Sequence, residues 1–143
     1  MENPTIIEQL KRHAVALLSL TVALVGLSYN TWRNERTEQN RNIRVAGFEI
    51  LKILGELQLV VDYAHFHEDQ QQGDPTMGWG KVLFIKDLAQ LMPAPGPEDA
   101  ERLLTTWRNN VEKIDSDNQS VQRISEDIFL ARRDIIQTLR NLH

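Results

Sequence analysis

The chain has 143 residues, with 16 Lys and Arg against 20 Asp and Glu, and a formal net charge of −4. It contains no cysteine, which excludes disulfides, thiolate metal ligands and a cysteine nucleophile. Residues 62–117 hold eleven acids and five bases. Because this acidic part repels phosphate, we expect no nucleic-acid partner.

The first 13 residues are interpreted as a short N-terminal tail in which an amphipathic helix starts. Thr5 and Glu8 have the spacing of a capping box, just after Pro4. The helix is therefore expected to begin close to Thr5.

Residues 14–32 form nineteen consecutive positions without a charge, with Lys11 and Arg12 before them and Arg33 after them. A bilayer core of about 30 Å needs about 20 mostly apolar helical residues. The segment is therefore predicted to be a single transmembrane helix. Two alternatives remain open: a secretory signal peptide that is cleaved after Ser28, and a buried core helix of a soluble protein.

The residues that follow the apolar segment predict how it lies in the membrane. Tyr29 and Trp32 are the aromatic types that favour the membrane interface, and Arg33 and Arg36 follow them. Residues 33–52 carry five bases, whereas the N-terminal tail carries two. Because positive charge beside a span favours the cytoplasm, we predict a protein of the inner (plasma) membrane whose C-terminal domain is cytoplasmic. Membrane lipid is thus one expected partner.

Three small residues within the apolar segment indicate a possible contact between transmembrane helices. Ser19 and Ala23 are four residues apart, and Gly26 follows three residues later. Such a pattern allows helices to approach closely in lipid. It predicts a possible homo-oligomer.

Residues 33–143 are predicted to form a soluble helical domain. No proline interrupts the chain between Pro4 and Pro75, so the membrane helix is expected to continue outward. The alternative is a break near Asn30 and Thr31 or within residues 40–42. Beyond Arg41 the apolar residues recur at steps of three and four, as in a helix that packs into a bundle: Ile43, Ala46, Ile50, Ile53, Leu57, Val60 and Ala64. Gly47 and Gly55 interrupt this helix and are candidates for close helix contact.

Residues 67–75 are polar and contain Gly73 and Pro75, which predicts a loop. Trp79 lies between two glycines, and two interpretations are open for it. It is either an aromatic anchor for a partner on a flexible loop, or a lid that packs against the bundle; the second is favoured. A helix is predicted over residues 82–92, with a buried strand over residues 81–86 as the alternative.

Two further helices complete the predicted bundle. The first begins at Pro97 and carries an apolar face of Ala100, Leu103, Leu104, Trp107, Val111 and Ile114. The second runs from about Asn118 to Leu142. The predicted fold class is all-α: one N-terminal transmembrane helix that continues into an antiparallel bundle of three to four soluble helices.

Catalytic and metal-binding patterns are not recognised in the sequence. His65, His67, Glu68 and Asp69 are metal-ligating types, but the two histidines point in different directions on a helix and no third group is signalled elsewhere. Glycine-rich phosphate loops, acyl-transfer triads and spaced carboxylate pairs are not found. We therefore expect no enzyme activity, no cofactor and no metal.

These features favour a non-enzymatic, single-pass membrane protein whose helical domain is an interaction or scaffold module for protein partners or for itself. The identity of a protein partner is not encoded in any recognisable motif. A first alternative is a membrane-anchored sensor or relay, in which the long helix transmits a change in packing. A second alternative is a secreted helical protein released by signal-peptide cleavage.

Overall fold

The computed structural model describes residues 6–67 and 71–142, with side chains except at positions 6, 8–12 and 67. These ranges are helical and contain no strand. The elements are α1 (Ile6–Asp62), a π-helical turn (Tyr63–His67), α2 (Pro75–Ala89), α3 (Gly96–Asn110), a 3₁₀ turn (Val111–Lys113) and α4 (Asn118–Arg140). The all-α prediction is confirmed. The predicted capping box is not described, because Thr5 and the side chain of Glu8 lie outside the described part of the structure.

Helix α1 runs from Ile6 to Asp62 and includes both places where a break was considered, residues 30–31 and 40–42. The contacts divide the chain into two compact units, Met1–Gln39 and Asn40–His143. The sequence-based division into residues 1–13, 14–32 and 33–143 stays a prediction.

In the first unit, every described side chain from residue 13 to residue 39 is exposed, including the leucines and valines of the apolar segment. The interpretation of this segment as a buried core helix is therefore wrong. One described helix near the N-terminus is long and apolar enough to span a membrane, by length and composition.

The second unit is a bundle of four helices: α1 from Asn40 onward, α2, α3 and α4. Adjacent helices contact each other in reverse sequence order, which makes them antiparallel. Lys86 binds Glu101 between α2 and α3, and Arg102 binds Asp127 between α3 and α4. Across α1 and α4, Gln58 donates a hydrogen bond to Ser125 (3.0 Å).

The core of the bundle collects the apolar faces that the sequence predicts. All six residues of the predicted α3 face are buried, and so are the α1 seam residues from Ile43 to Val60, while Ala64 is half-buried. From α4 the core receives Val121, Ile124, Ile128, Ala131 and Ile135. Trp107 lies at its centre and is fully buried.

Helix starts follow the local sequence. Asp74 caps α2 by accepting a hydrogen bond from the backbone N–H of Thr76 (2.8 Å), and Pro75 occupies the first turn. Asp117 caps α4 in the same way, through the N–H groups of Gln119 and Ser120. These caps keep the connections between the helices short.

Candidate interaction surfaces

Three of the predicted membrane-interface residues lie together on α1. The rings of Tyr29 and Trp32 have centroids 6.1 Å apart, and the guanidinium carbon of Arg36 lies 5.3 Å from the centroid of the Trp32 ring. This is cation–π geometry, which holds a positive charge beside the indole. Arg33 is exposed on the same two turns. Their position at a membrane surface stays a prediction.

Ser19, Ala23 and Gly26, the three small residues of the apolar segment, are exposed. The Ser19 hydroxyl donates a hydrogen bond to the Val15 carbonyl (2.8 Å), which satisfies it within the helix. A Cβ added at Gly26 would meet no described atom within 4 Å. Ser19, Ala23 and Gly26 therefore project little from the surface of α1. Their role in contact between helices stays a prediction.

Trp79 does not lie in a loop. It belongs to α2, so the alternative that placed it on a flexible loop is wrong; the cap at Asp74 starts a helix that includes both flanking glycines. Trp79 is half-buried against the core, and its ring meets Trp107 edge-to-face with centroids 6.5 Å apart. The lid interpretation describes this packing, whereas a docking role for Trp79 stays a prediction. The strand considered for residues 81–86 is also wrong, because α2 covers them.

His65 connects the end of α1 to the start of α4. Its Nδ1 lies 2.7 Å from the carbonyl oxygen of Ile114, and its Nε2 lies 2.7 Å from Oδ1 of Asn118. Both ring nitrogens are thus engaged by protein groups. The other residues of the histidine-rich segment, namely the His67 side chain, Glu68 and Asp69, lie outside the described part of the structure. Among the described side chains no group of three metal-ligating residues is found.

A polar cluster between α3 and α4 was missed by sequence reasoning. Arg102 lies between two carboxylates: its Nη1 is 2.8 Å from Oδ1 of Asp99, and its Nε is 2.9 Å from Oδ1 of Asp127. Asp99 is 3% exposed, and its Oδ2 has no hydrogen-bond partner among the described residues. The sequence could not reveal this cluster, because Asp127 lies 25 residues from Arg102 along the chain.

Burial raises the pKa of Asp99, and the nearby Asp134 raises it further, although Arg102 opposes both effects. A hydrogen bond from Arg133 lowers the pKa of Asp134. The two carboxyl groups therefore differ in proton affinity, with the proton favoured on Asp99. Since Arg102 and Arg133 already occupy these carboxylates, the cluster is best understood as a link between α3 and α4.

The side of α1 that faces away from the core carries large apolar side chains. We call the residues Val45, Phe48, Lys52, Gly55 and Leu59 the outer face of α1. At 3.6 residues per turn they fall within about 80° of arc, opposite the buried seam. Val45, Phe48 and Leu59 are 64%, 63% and 54% exposed, so this face is an apolar strip in contact with solvent.

Helix α4 extends this strip on one side. Arg132 of α4 is the side chain nearest to Gly55. Phe129, which is 63% exposed, and the half-exposed Ile136 lie one turn before and one turn after Arg132. The side chains around them line a shallow groove of about 410 Å³ on α4. Of the seven side chains that line this groove, Phe129 and Ile136 are apolar and the other five are polar or charged.

The sequence patterns did not reveal the outer face, although its period of three and four residues was present. The stronger apolar pattern of the seam from Ile43 to Ala64, on the same helix, conceals it. Comparison of the chain with protein-family models, with curated proteins and with solved structures finds no match.

Proposed function

We propose that this chain is a non-enzymatic, single-pass membrane protein whose cytoplasmic helical bundle is an interaction or scaffold module. The observation that carries the proposal is the outer face of α1. The bundle buries most residues of its seams, yet Phe48 and Leu59 of α1 and Phe129 of α4 remain exposed. Burial of such side chains against a partner is favourable, at about 25 cal/mol per Å² of apolar surface.

Membrane attachment is supported by the exposed apolar helix of the first unit. Nineteen uncharged positions with no protein covering them are suited to a lipid environment. The basic residues that follow, starting with Arg33 and Arg36, favour the cytoplasmic side and contact with anionic headgroups. The inner membrane is the location that fits this arrangement.

The anchor and its orientation are tested with fusions after His143. A reporter that is active only in the cytoplasm is expected to work, and the protein is expected to stay in the membrane during an alkaline wash. Activity of a periplasm-only reporter would contradict the orientation. A mature N-terminus at Tyr29 would instead favour the secreted alternative.

The scaffold role is tested by crosslinking in membranes followed by purification. Wild type is compared with Phe48→Glu in the outer face and with Leu83→Glu in α2, a residue of similar chemistry that is 48% exposed. A discrete crosslinked species is expected for wild type and Leu83→Glu, and its loss is expected for Phe48→Glu. Equal crosslinking of all three proteins would exclude the outer face as the interaction site.

A sensor or relay is the second candidate, and the continuity of α1 from Ile6 to Asp62 favours it. A helix without a break can transmit a change in packing if the bundle has two states. Stabilisation of the purified protein by a small ligand would support this role, whereas a partner that copurifies without such a ligand supports the scaffold.

A further inference from the structure

The outer face of α1 has the spacing of a coiled-coil seam. In a heptad frame that begins with Val45 as position a, Lys52 and Leu59 are also at a, while Phe48 and Gly55 are at d. The core-facing seam of the same helix uses other positions of this frame. Helix α1 thus carries two seams, of which one is filled by the bundle and the other is exposed.

Counted back along the sequence, the same spacing first meets Arg41, Glu38, Asn34 and Thr31, which are polar or charged, and only then the leucines of the apolar segment. Position a falls on Leu17 and Leu24, and position d falls on Leu20 and Leu27. Four of the five leucines between residues 14 and 32 are therefore at a or d. Left-handed packing with this repeat is common between transmembrane helices as well as in coiled coils.

We propose that the protein forms a parallel homodimer through α1, in which the outer face of one copy packs against the outer face of a second copy. This inference rests on the proposed function in one respect, because anchoring in one membrane gives both copies the same direction. The leucines of the apolar segment form a second, separate seam of the same dimer within the lipid.

The charges beside the outer face favour a parallel arrangement over an antiparallel one. In a parallel pair, position g of one helix faces position e of the next heptad in the other, which brings Arg44 to Glu49 of the second copy. An antiparallel pair would instead bring e to e, where Glu49 of one copy faces Glu56 of the other without a base from the second copy; Glu56 itself is paired with Lys81 of α2 (2.6 Å). Arg44 is exposed on α1, whereas Glu49 is half-buried beside Lys52 of the same helix.

Lys52 and Gly55 explain why this seam is selective and weak. A lysine at one position a sets the register and favours a small number of helices, at a cost in stability. Glu49 lies 3.2 Å from its ammonium group and partly offsets that cost. Gly55 allows the two helices to approach closely, beside Arg132 of α4. Confinement to a membrane raises the local concentration that such a short seam requires.

Disulfide crosslinking of the full chain in membranes tests the proposal directly, because the chain has no cysteine of its own. Val45→Cys, Lys52→Cys and Leu59→Cys are made one at a time and oxidised with copper phenanthroline. All three are expected to give a species of twice the chain mass. Arg108→Cys, on the exposed side of α3, is the control and is expected to remain a monomer.

The pattern of crosslinks distinguishes the possible arrangements. An antiparallel pair would crosslink at one position of the three, near the point where the helices cross. A disulfide to a different protein would show that the occupant of the outer face is not a second copy. Absence of crosslinking above the Arg108→Cys level would also overturn the proposal.

Within the apolar segment, Leu24→Cys is compared with Gly26→Cys. The spacing of the leucines predicts a crosslink for Leu24→Cys and little for Gly26→Cys. The opposite result would assign the contact in the lipid to the small residues Ser19, Ala23 and Gly26, and would overturn the leucine seam.

Introducing negative charge on the outer face separates this proposal from the proposed function. The double variant Phe48→Glu with Leu59→Glu is expected to abolish the crosslink at Lys52→Cys. The control is Leu83→Glu with Phe84→Glu in α2, where both residues are 48% exposed, and it is expected to keep the crosslink. A protein that resists the alkaline wash but never dimerises would refute the homodimer and leave the anchored module intact. Release by the wash would refute the anchor itself.

Discussion

The indole ring of Trp107 packs directly on the backbone of Gly78, so that α2 and α3 touch at a point where only a glycine fits. A Cβ at Gly78 would overlap Cζ2 and Cη2 of the ring. The ring is fully buried and cannot move aside without disturbing the core. This contact, more than any turn, explains the glycine at position 78.

Gly78→Ala is therefore expected to destabilise the bundle by about 1–3 kcal/mol, as overpacking of a core does. Gly80→Ala is the matched control, because a Cβ there meets no described atom within 4 Å. It should stabilise α2 by about 1 kcal/mol, since alanine is the better helix former. Thermal unfolding of the full chain in detergent, followed by tryptophan fluorescence, measures both changes. Equal melting temperatures for the two variants would show that the contact has no energetic weight.

The two glycines of α1 should also differ from each other. A Cβ at Gly47 would lie 2.9 Å from Cδ2 of Leu139, whereas a Cβ at Gly55 would have 4.0 Å to Nη1 of Arg132. Gly55→Ala should gain most of the helix propensity of alanine, about 1 kcal/mol. Gly47→Ala should gain less, because Leu139 must shift. If Gly47→Ala is the more stable of the two in the same unfolding assay, the α1–α4 packing is looser than described.

Truncation of core residues should lower stability far more than truncation of surface residues. Leu57, Trp107 and Ile128 come from three helices and are at most 4% exposed. Each alanine variant should lose about 2–5 kcal/mol, much of the stability of a typical domain. The exposed Arg108→Ala should change it by less than about 0.5 kcal/mol. A Trp107→Ala protein that melts like wild type would exclude a single shared core.

Helices whose apolar residues recur every three to four positions were predicted better from the sequence than helices without such a recurrence. The seams of α1, α3 and α4 repeat every three to four residues, and their buried members were identified. In α2 the apolar residues are continuous from Val82 to Ile85, so the sequence could not tell that Leu83 and Phe84 are exposed while Ile85 is buried. Periodicity carries no information when every position is apolar.

Local signals also competed with each other around Trp79. Asp74 and Pro75 are a strong helix start, but Gly78 and Gly80 are poor helix formers, and the helix was predicted to begin only at Val82, whereas it begins at Pro75. Packing against Trp107 outweighed that propensity. The cluster of Asp99, Arg102 and Asp127 could not be predicted, because it depends on which faces of α3 and α4 meet.

The buried Asp99 gives the bundle a specific dependence on pH. Burial and the neighbouring Asp134 raise its pKa above the ordinary aspartate value. The folded protein therefore favours the protonated form more than the unfolded chain does. The stability that this group contributes is complete below the ordinary aspartate pKa, and it is lost as the pH rises through the raised pKa of Asp99.

Asp99→Asn removes this titration while keeping the size of the side chain. The free energy of unfolding of Asp99→Asn, minus that of wild type, should therefore increase between about pH 4 and pH 7. Asp134 and Asp117 have lowered pKa values, so their own contributions are lost on acidification; both proteins retain these groups, which limits their effect on the difference. Urea unfolding at a series of pH values measures the difference, with the exposed Asp87→Asn as the matched control. A difference that stays flat, or that falls as the pH rises, would mean that Arg102 compensates fully for the burial of the charge.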